Sequence, residues 1–286
     1  MPRIRPFSLD ILDPSITDLS FLHVPRLEDD DVSMIAAFLM TTPAVTSLSF
    51  YPTNELGSRV TIIIDALMSN ANITALNLNN CGLGVPELNH IGRYLKSPAG
   101  LHLLKLDVGG NLFRPDPRRR QRYISDPTWG LYQIPSHSLQ PLPTARRELK
   151  KELKARRLQI KSHPQFDFFS GISMNSSLTD LSIASIRIDE GFPLDRLLDT
   201  IRSNMNLVSL NLCETGFYEE RYGFLFQAID CSNIRTLDLS RMHYGTCADL
   251  QTIALWLRSS AKITTLILNP ARWDEAGEAL WSNQSL

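Results

Sequence analysis

A six-residue pattern, L-x-x-L-x-L, recurs eight times along the chain, and its spacing leaves few ways to fold it. The copies are ITDLSF (Ile16 to Phe21), VTSLSF (Val45 to Phe50), ITALNL (Ile73 to Leu78), LLKLDV (Leu103 to Val108), LTDLSI (Leu178 to Ile183), LVSLNL (Leu207 to Leu212), IRTLDL (Ile234 to Leu239) and ITTLIL (Ile263 to Leu268). Their first residues are 29, 28 and 30 apart, then 75 apart across one gap, then 29, 27 and 29 apart. A fixed period of this length marks an array of like units, each too small to bury its own apolar face.

The pattern predicts one strand per unit, and the segments between strands have helical spacing. Val32, Ile35, Ala36 and Leu39 form one apolar stripe; Leu194, Leu197, Leu198 and Ile201 form another, and Leu250, Ile253, Ala254 and Leu257 a third. Three residues past the strand pattern the chain carries Cys81, Asn111, Thr215, Met242 or Ala271, a degenerate turn position. Three residues before it stands asparagine in several units (Asn70, Asn175, Asn204, Asn283), read here as a left-handed helix stop. Strand, turn, helix and stop in this order predict an α/β solenoid with a parallel sheet on its concave side and helices on its convex side.

The period and phrases such as ALMSNANITALNL, IRSNMNLVSLNL and EALWSNQSL resemble the repeats of ribonuclease-inhibitor-like leucine-rich-repeat proteins, a class that includes intracellular innate-immune receptors and bacterial effectors. The resemblance covers residues 9 to 113 and 166 to 286. It implies a horseshoe of about eight repeats and a non-enzymatic protein-binding scaffold. A bacterial secreted effector binding a host protein is one context it implies, and a fragment of an intracellular immune-type receptor is another.

Three segments are expected in one continuous solenoid: N-terminal repeats over 1–113, a basic proline-rich and helical insertion over 114–165, and C-terminal repeats over 166–286. Residues 114 to 163 hold 13 Lys and Arg against 4 Asp and Glu, a net of +9, while the rest of the chain holds 16 basic and 26 acidic residues, a net of −10. Prolines at 115, 117, 127, 135, 141 and 143 oppose regular structure over 114–143. A helix is expected over about 144–161, with Leu149, Leu153 and Ile160 near one face. The insertion either packs on the solenoid or serves as a docking arm for an acidic protein, a nucleic acid or an anionic membrane. Its candidate binding residues are Arg118, Arg119, Arg120, Trp129, Arg146, Arg147, Lys150 and Lys151.

Strand alternation turns the residues between the motif leucines outward. One row reads Asp18, Ser47, Ala75, Lys105, Asp180, Ser209, Thr236, Thr265, and the next reads Ser20, Ser49, Asn77, Asp107, Ser182, Asn211, Asp238, Ile267. Asp18, Asn77, Lys105, Asp107, Asp180, Asn211 and Asp238 are the candidate binding residues of this face, although small polar side chains equally suit a solvated surface. No G-x-S-x-G, H-E-x-x-H or phosphate-binding loop is present, and the six histidines form no ligand pattern, so no catalytic residue, metal or cofactor is expected. The acidic run Glu28 to Asp31 reads as a helix start and Gly82-Leu83-Gly84 as a repeat turn. Cys247-Ala248-Asp249 has the Cys-x-Asp shape of a bacterial ubiquitin-ligase nucleophile, but it opens a repeat helix with no ligase domain after it. The four cysteines are dispersed, no secretory signal is read in MPRIRPFSLDILDP, and runs such as Met34 to Met40 are too short to cross a bilayer. A soluble protein in a reducing compartment is expected, cytoplasmic or, for a secreted effector, in the host cytosol.

Overall fold

Every copy of the pattern forms one short strand. A computed structural model of the chain describes residues 15–22, 24, 26–111, 166–186, 192–215, 221–241, 253, 255–258 and 262–268. The strands are β1 (Asp18–Ser20), β2 (Ser47–Ser49), β3 (Ala75–Asn77), β4 (Lys105–Asp107), β5 (Asp180–Ser182), β6 (Ser209–Asn211), β7 (Thr236–Asp238) and β8 (Thr265–Ile267). They make one sheet in sequential order, and every neighbouring pair is parallel. The register places each motif leucine opposite the next, from Leu19 beside Leu48 to Leu237 beside Leu266. Leu19, Leu48, Leu76, Leu106, Leu181, Leu210 and Leu237 are buried, whereas Leu266 on the last strand is half-buried.

Helices return the chain between strands: α1 (Asp29–Thr41), α2 (Val60–Leu67), α3 (Val85–Lys96), α4 (Phe166–Met174), α5 (Leu194–Ser203) and α6 (Tyr222–Asp230). Each packs on the next, so sheet and helices form two layers with the core between them. Two of the three stripes read from the sequence face that core: Val32, Ile35, Ala36 and Leu39 are buried, as are Leu197, Leu198 and Ile201, with Leu194 partly buried; of the third, Ile253 is buried and Leu257 partly so, while Leu250 and Ala254 lie outside the described residues. The acidic run does start a helix, since the Glu28 N–H donates to Asp31 Oδ2 at 2.9 Å. In α3, Glu87 Oε2 accepts from the Gly84 N–H at 2.8 Å and Pro86 sits in the first turn, two ordinary helix-start devices.

Of the four asparagines expected to take the left-handed conformation, the three described do not, and Asn283 lies outside the described residues. Asn204 is extended at φ −85° and ψ 95°, and neither Asn70 nor Asn175 has positive φ. All three are buried and reach back to the preceding unit. Asn70 Nδ2 donates to Leu39 O at 2.7 Å; Asn175 Nδ2 donates to Leu95 O and Gly100 O at 3.0 and 2.8 Å; Asn204 Nδ2 donates to Ile172 O and Asn175 O at 2.7 and 3.1 Å. Their Oδ1 atoms accept N–H groups of their own loops, from Asn72, from Ser177 and Leu178, and from Asn206 and Leu207. Buried loop backbone needs such partners, and an amide is the side chain that both donates and accepts.

A recurring left-handed position lies elsewhere, two residues past the strand pattern: Asn80, Gly110, Ser185, Glu214 and Arg241 have φ between 54° and 66°. There the turned backbone aims an N–H at the next unit, as in Asn80 N to Gly109 O at 2.8 Å, Gly110 N to Ala184 O at 2.7 Å and Ser185 N to Cys213 O at 2.7 Å. The expected turn position one residue further on is buried at Cys81, Asn111 and Thr215, and Asn111 Nδ2 donates to Leu78 O and Val108 O at 2.8 and 2.9 Å. Met242 and Ala271 lie outside the described residues.

Across the long gap in the period the sheet does not break. β4 pairs directly with β5, Lys105 beside Asp180 and Asp107 beside Ser182, and α3 packs on α4. Two glycines set that helix contact. A Cβ on Gly92 would stand 2.2 Å from Asp167 O, and one on Gly171 would stand 2.3 Å from Gly92 O. The expected irregular stretch 114–143 and helix 144–161 lie outside the described residues.

Candidate functional site

Alternation buries one side of each strand and opens the other, so the outward residues of eight strands form two aligned rows. Over β2 to β6 this face carries a shallow depression of about 250 Å³. Asn77, Lys105, Asp107, Asp180 and Asn211 line it together, from among the residues singled out in the sequence, while Asp18 on β1 and Asp238 on β7 lie beyond its ends. Ser49, Ala75, Ser182 and Ser209 line it as well. Alternation placed these four on the face, but short neutral side chains carried no chemical signal that would mark them as candidates.

The structure gives four of the seven candidates a local task. Asn77 Oδ1 accepts the Asn79 N–H at 2.9 Å, and at the equivalent place on their strands Asp107, Asn211 and Asp238 accept from Gly109, Cys213 and Ser240, each at 2.8 Å. A side chain accepting from the backbone two residues on is an Asx turn, which here closes the strand. Asp18 and Asp180 each accept from the preceding threonine, Thr17 Oγ1 at 3.3 Å and Thr179 Oγ1 at 2.6 Å. Lys105 is exposed, as is Asp18, and the other five are partly buried.

A row of threonines just before five of the eight strands, Thr17, Thr46, Thr74, Thr179 and Thr264, escaped sequence reasoning. Thr46, Thr74 and Thr264 donate Oγ1 to Thr17 O, Thr46 O and Arg235 O at 3.2 to 3.4 Å, and Thr179 Oγ1, whose proton is shared with the nearer Asp180, lies 3.2 Å from Leu104 O. Their recurrence at the second pattern position was the available signal. These bonds tie unit to unit and stiffen the rim of the face.

Comparison with protein-family models gives no match, and comparison with curated proteins gives none either. The groups of the face hydrogen-bond and carry charge, and none is arranged as nucleophile, base and orienting group. On the helix side, His90 Nε2 meets Asp65 Oδ1 at 2.7 Å, but its Nδ1 meets Arg93 Nη2 at 2.7 Å, so both ring nitrogens are engaged. Cys81 is buried, and burial, with the charge of Asp107 adding to it, pushes its thiol up to about 12. Among the described residues no group of three or more His, Cys, Asp or Glu could hold a metal ion, and no helix is long and apolar enough to cross a membrane. Arg118, Arg119, Arg120, Trp129, Arg146, Arg147, Lys150, Lys151 and Cys247 lie outside the described residues.

Proposed function

We propose that the chain is a non-enzymatic protein-binding scaffold, a leucine-rich-repeat horseshoe of the ribonuclease-inhibitor-like class whose concave sheet face receives a polypeptide partner. The observation that carries this reading is the aligned pair of outward rows, with a depression lined by Ala75, Leu76, Leu106 and Leu181 together with amide, carboxylate, ammonium and hydroxyl groups. Such a surface offers many hydrogen-bonding points fixed by rigid strands. A polypeptide laid across the strands can use several of them at once, and preorganisation lowers the ordering cost of binding. The eightfold pattern with its period near 29 residues supports the class, and strand and helix alternation supports the horseshoe.

Photo-crosslinking tests the reading. A crosslinking side chain at Ser49 or Ser209, on the face, is expected to trap one defined polypeptide from a source extract, and the same group at Ser33 of α1 or Gln227 of α6 is expected not to. Equal trapping from both sides, or trapping from the helix side alone, overturns the assignment of the face.

A further inference from the structure

The Asx turns explain why an oxygen acceptor stands at the end of a strand, but they do not explain its charge. At the same register position the chain uses the amides Asn77 and Asn211 on β3 and β6 and the carboxylates Asp107 and Asp238 on β4 and β7. The bond made is the same, at 2.8 to 2.9 Å, so a neutral oxygen suffices for the turn. Asp18 and Asp180 in the other row add two more carboxylates, each bonded only to its neighbouring threonine hydroxyl among the described contacts. Against these four stands Lys105 in the two rows, with Arg235 flanking β7. The surplus is negative. From β1 to β7 it extends about 30 Å along the sheet, taking about 4.8 Å per strand.

We infer that the sheet face selects a partner segment rich in lysine and arginine, lying across the strands so that its cations meet Asp18, Asp107, Asp180 and Asp238. This rests on the scaffold reading above and names the chemistry of its partner. A stripe this long suits a polypeptide segment, and its sign repels the phosphates of a nucleic acid. Complementary charge of this kind fixes partner choice and speeds encounter, and its strength falls as salt rises.

The turns themselves supply the test. Asn77 and Asn211 show that an amide oxygen closes the turn made by Asp107 and Asp238, and an amide oxygen can equally accept the Thr17 and Thr179 hydroxyls that meet Asp18 and Asp180, so the fourfold variant Asp18→Asn, Asp107→Asn, Asp180→Asn, Asp238→Asn removes charge and keeps the hydrogen bonds. A fluorescent lysine- and arginine-rich peptide is titrated into the full chain and into this variant, with a glutamate-rich peptide of equal length as control. Unchanged thermal unfolding of the variant is the folding check. The basic peptide is expected to bind the variant at least about tenfold more weakly, from several exposed charge pairs acting together, and to lose affinity for the native chain as salt rises. The acidic peptide, which the negative face repels, is expected to bind the native chain no more tightly than the variant. Equal affinity of the basic peptide for the two chains, or no binding of it at all, overturns the inference. A second variant, Ala75→Trp with Ser209→Trp, fills the depression without changing charge. If it abolishes crosslinking from Ser49 while the Asn variant leaves crosslinking intact, the scaffold reading stands and the charge inference falls. If neither variant affects that crosslinking, both fall.

Discussion

Side chains that look functional in the sequence often hold the backbone instead. Asn77, Asp107, Asn211 and Asp238 stand out as polar residues on an open face, yet each also closes a turn. Asn70, Asn175 and Asn204 look like local helix stops, and each bonds to the preceding unit. The pattern revealed where these residues recur, but which backbone group each one meets depends on the neighbouring unit. Cys81 shows the same dependence. Its position three residues past the pattern was legible, whereas its raised pKa comes from burial under the adjoining units and from Asp107. A thiol with pKa of about 12 is protonated at neutral pH and is a poor nucleophile. Alkylation of the native chain near pH 8, followed by mass spectrometry, is therefore expected to label exposed Cys231 and leave Cys81 untouched until the chain is unfolded. The sign for stability follows. The unfolded thiol ionises above its ordinary value of 9.0 while the folded one does not, so this contribution to stability is intact below pH 9.0 and is lost as pH rises toward about 12.

Elements meet as the apolar stripes require, but how closely they meet is a separate matter. The helical stripes and strand leucines were legible because burial on one face imposes periods of 3.6 and 2. The contact of α3 with α4 was not, because two glycines at 92 and 171 carry no periodic signal of their own. With no side chain there, Gly171 lies against the Gly92 carbonyl, and Gly92 against the backbone of Asp167 and Phe168. An added methyl at either position meets backbone, which cannot swing aside, so the helices must separate. Gly92→Ala and Gly171→Ala are each expected to destabilise the protein by roughly 1–3 kcal/mol, as overpacked contacts do, despite alanine's higher helix propensity. Thermal or urea unfolding checks this. As a control, Gly223→Ala, where an added Cβ meets nothing within 4 Å, is expected to leave stability unchanged or raise it.

For the whole molecule, the sheet treats the 75-residue spacing as it treats the shorter ones, because β4 pairs with β5 in the common register. Deleting residues 114–163 shortens that spacing by 50 to 25 residues, near the 27 to 30 of the other units, and leaves residues 112, 113, 164 and 165 to join Asn111 to α4. The deletion protein is expected to keep its far-ultraviolet circular dichroism per described unit and to unfold cooperatively, while its net charge falls from −1 to −10; a collapsed deletion protein refutes this. The repeat, the strand positions, the outward rows and the place of the insertion were determined by the sequence alone, since each follows from periodicity, which is a property of order along the chain. Three things were decided only in three dimensions: the left-handed turns at residues as unlike as Glu214 and Arg241, the asparagine bonds between units, and the glycine contact that joins α3 to α4. The partners lie 26 to 80 residues away in the chain, from Ser240 opposite Glu214 to Leu95 opposite Asn175. Local propensity carries no information about such a neighbour, and stacking brings it to within a hydrogen bond or a van der Waals contact.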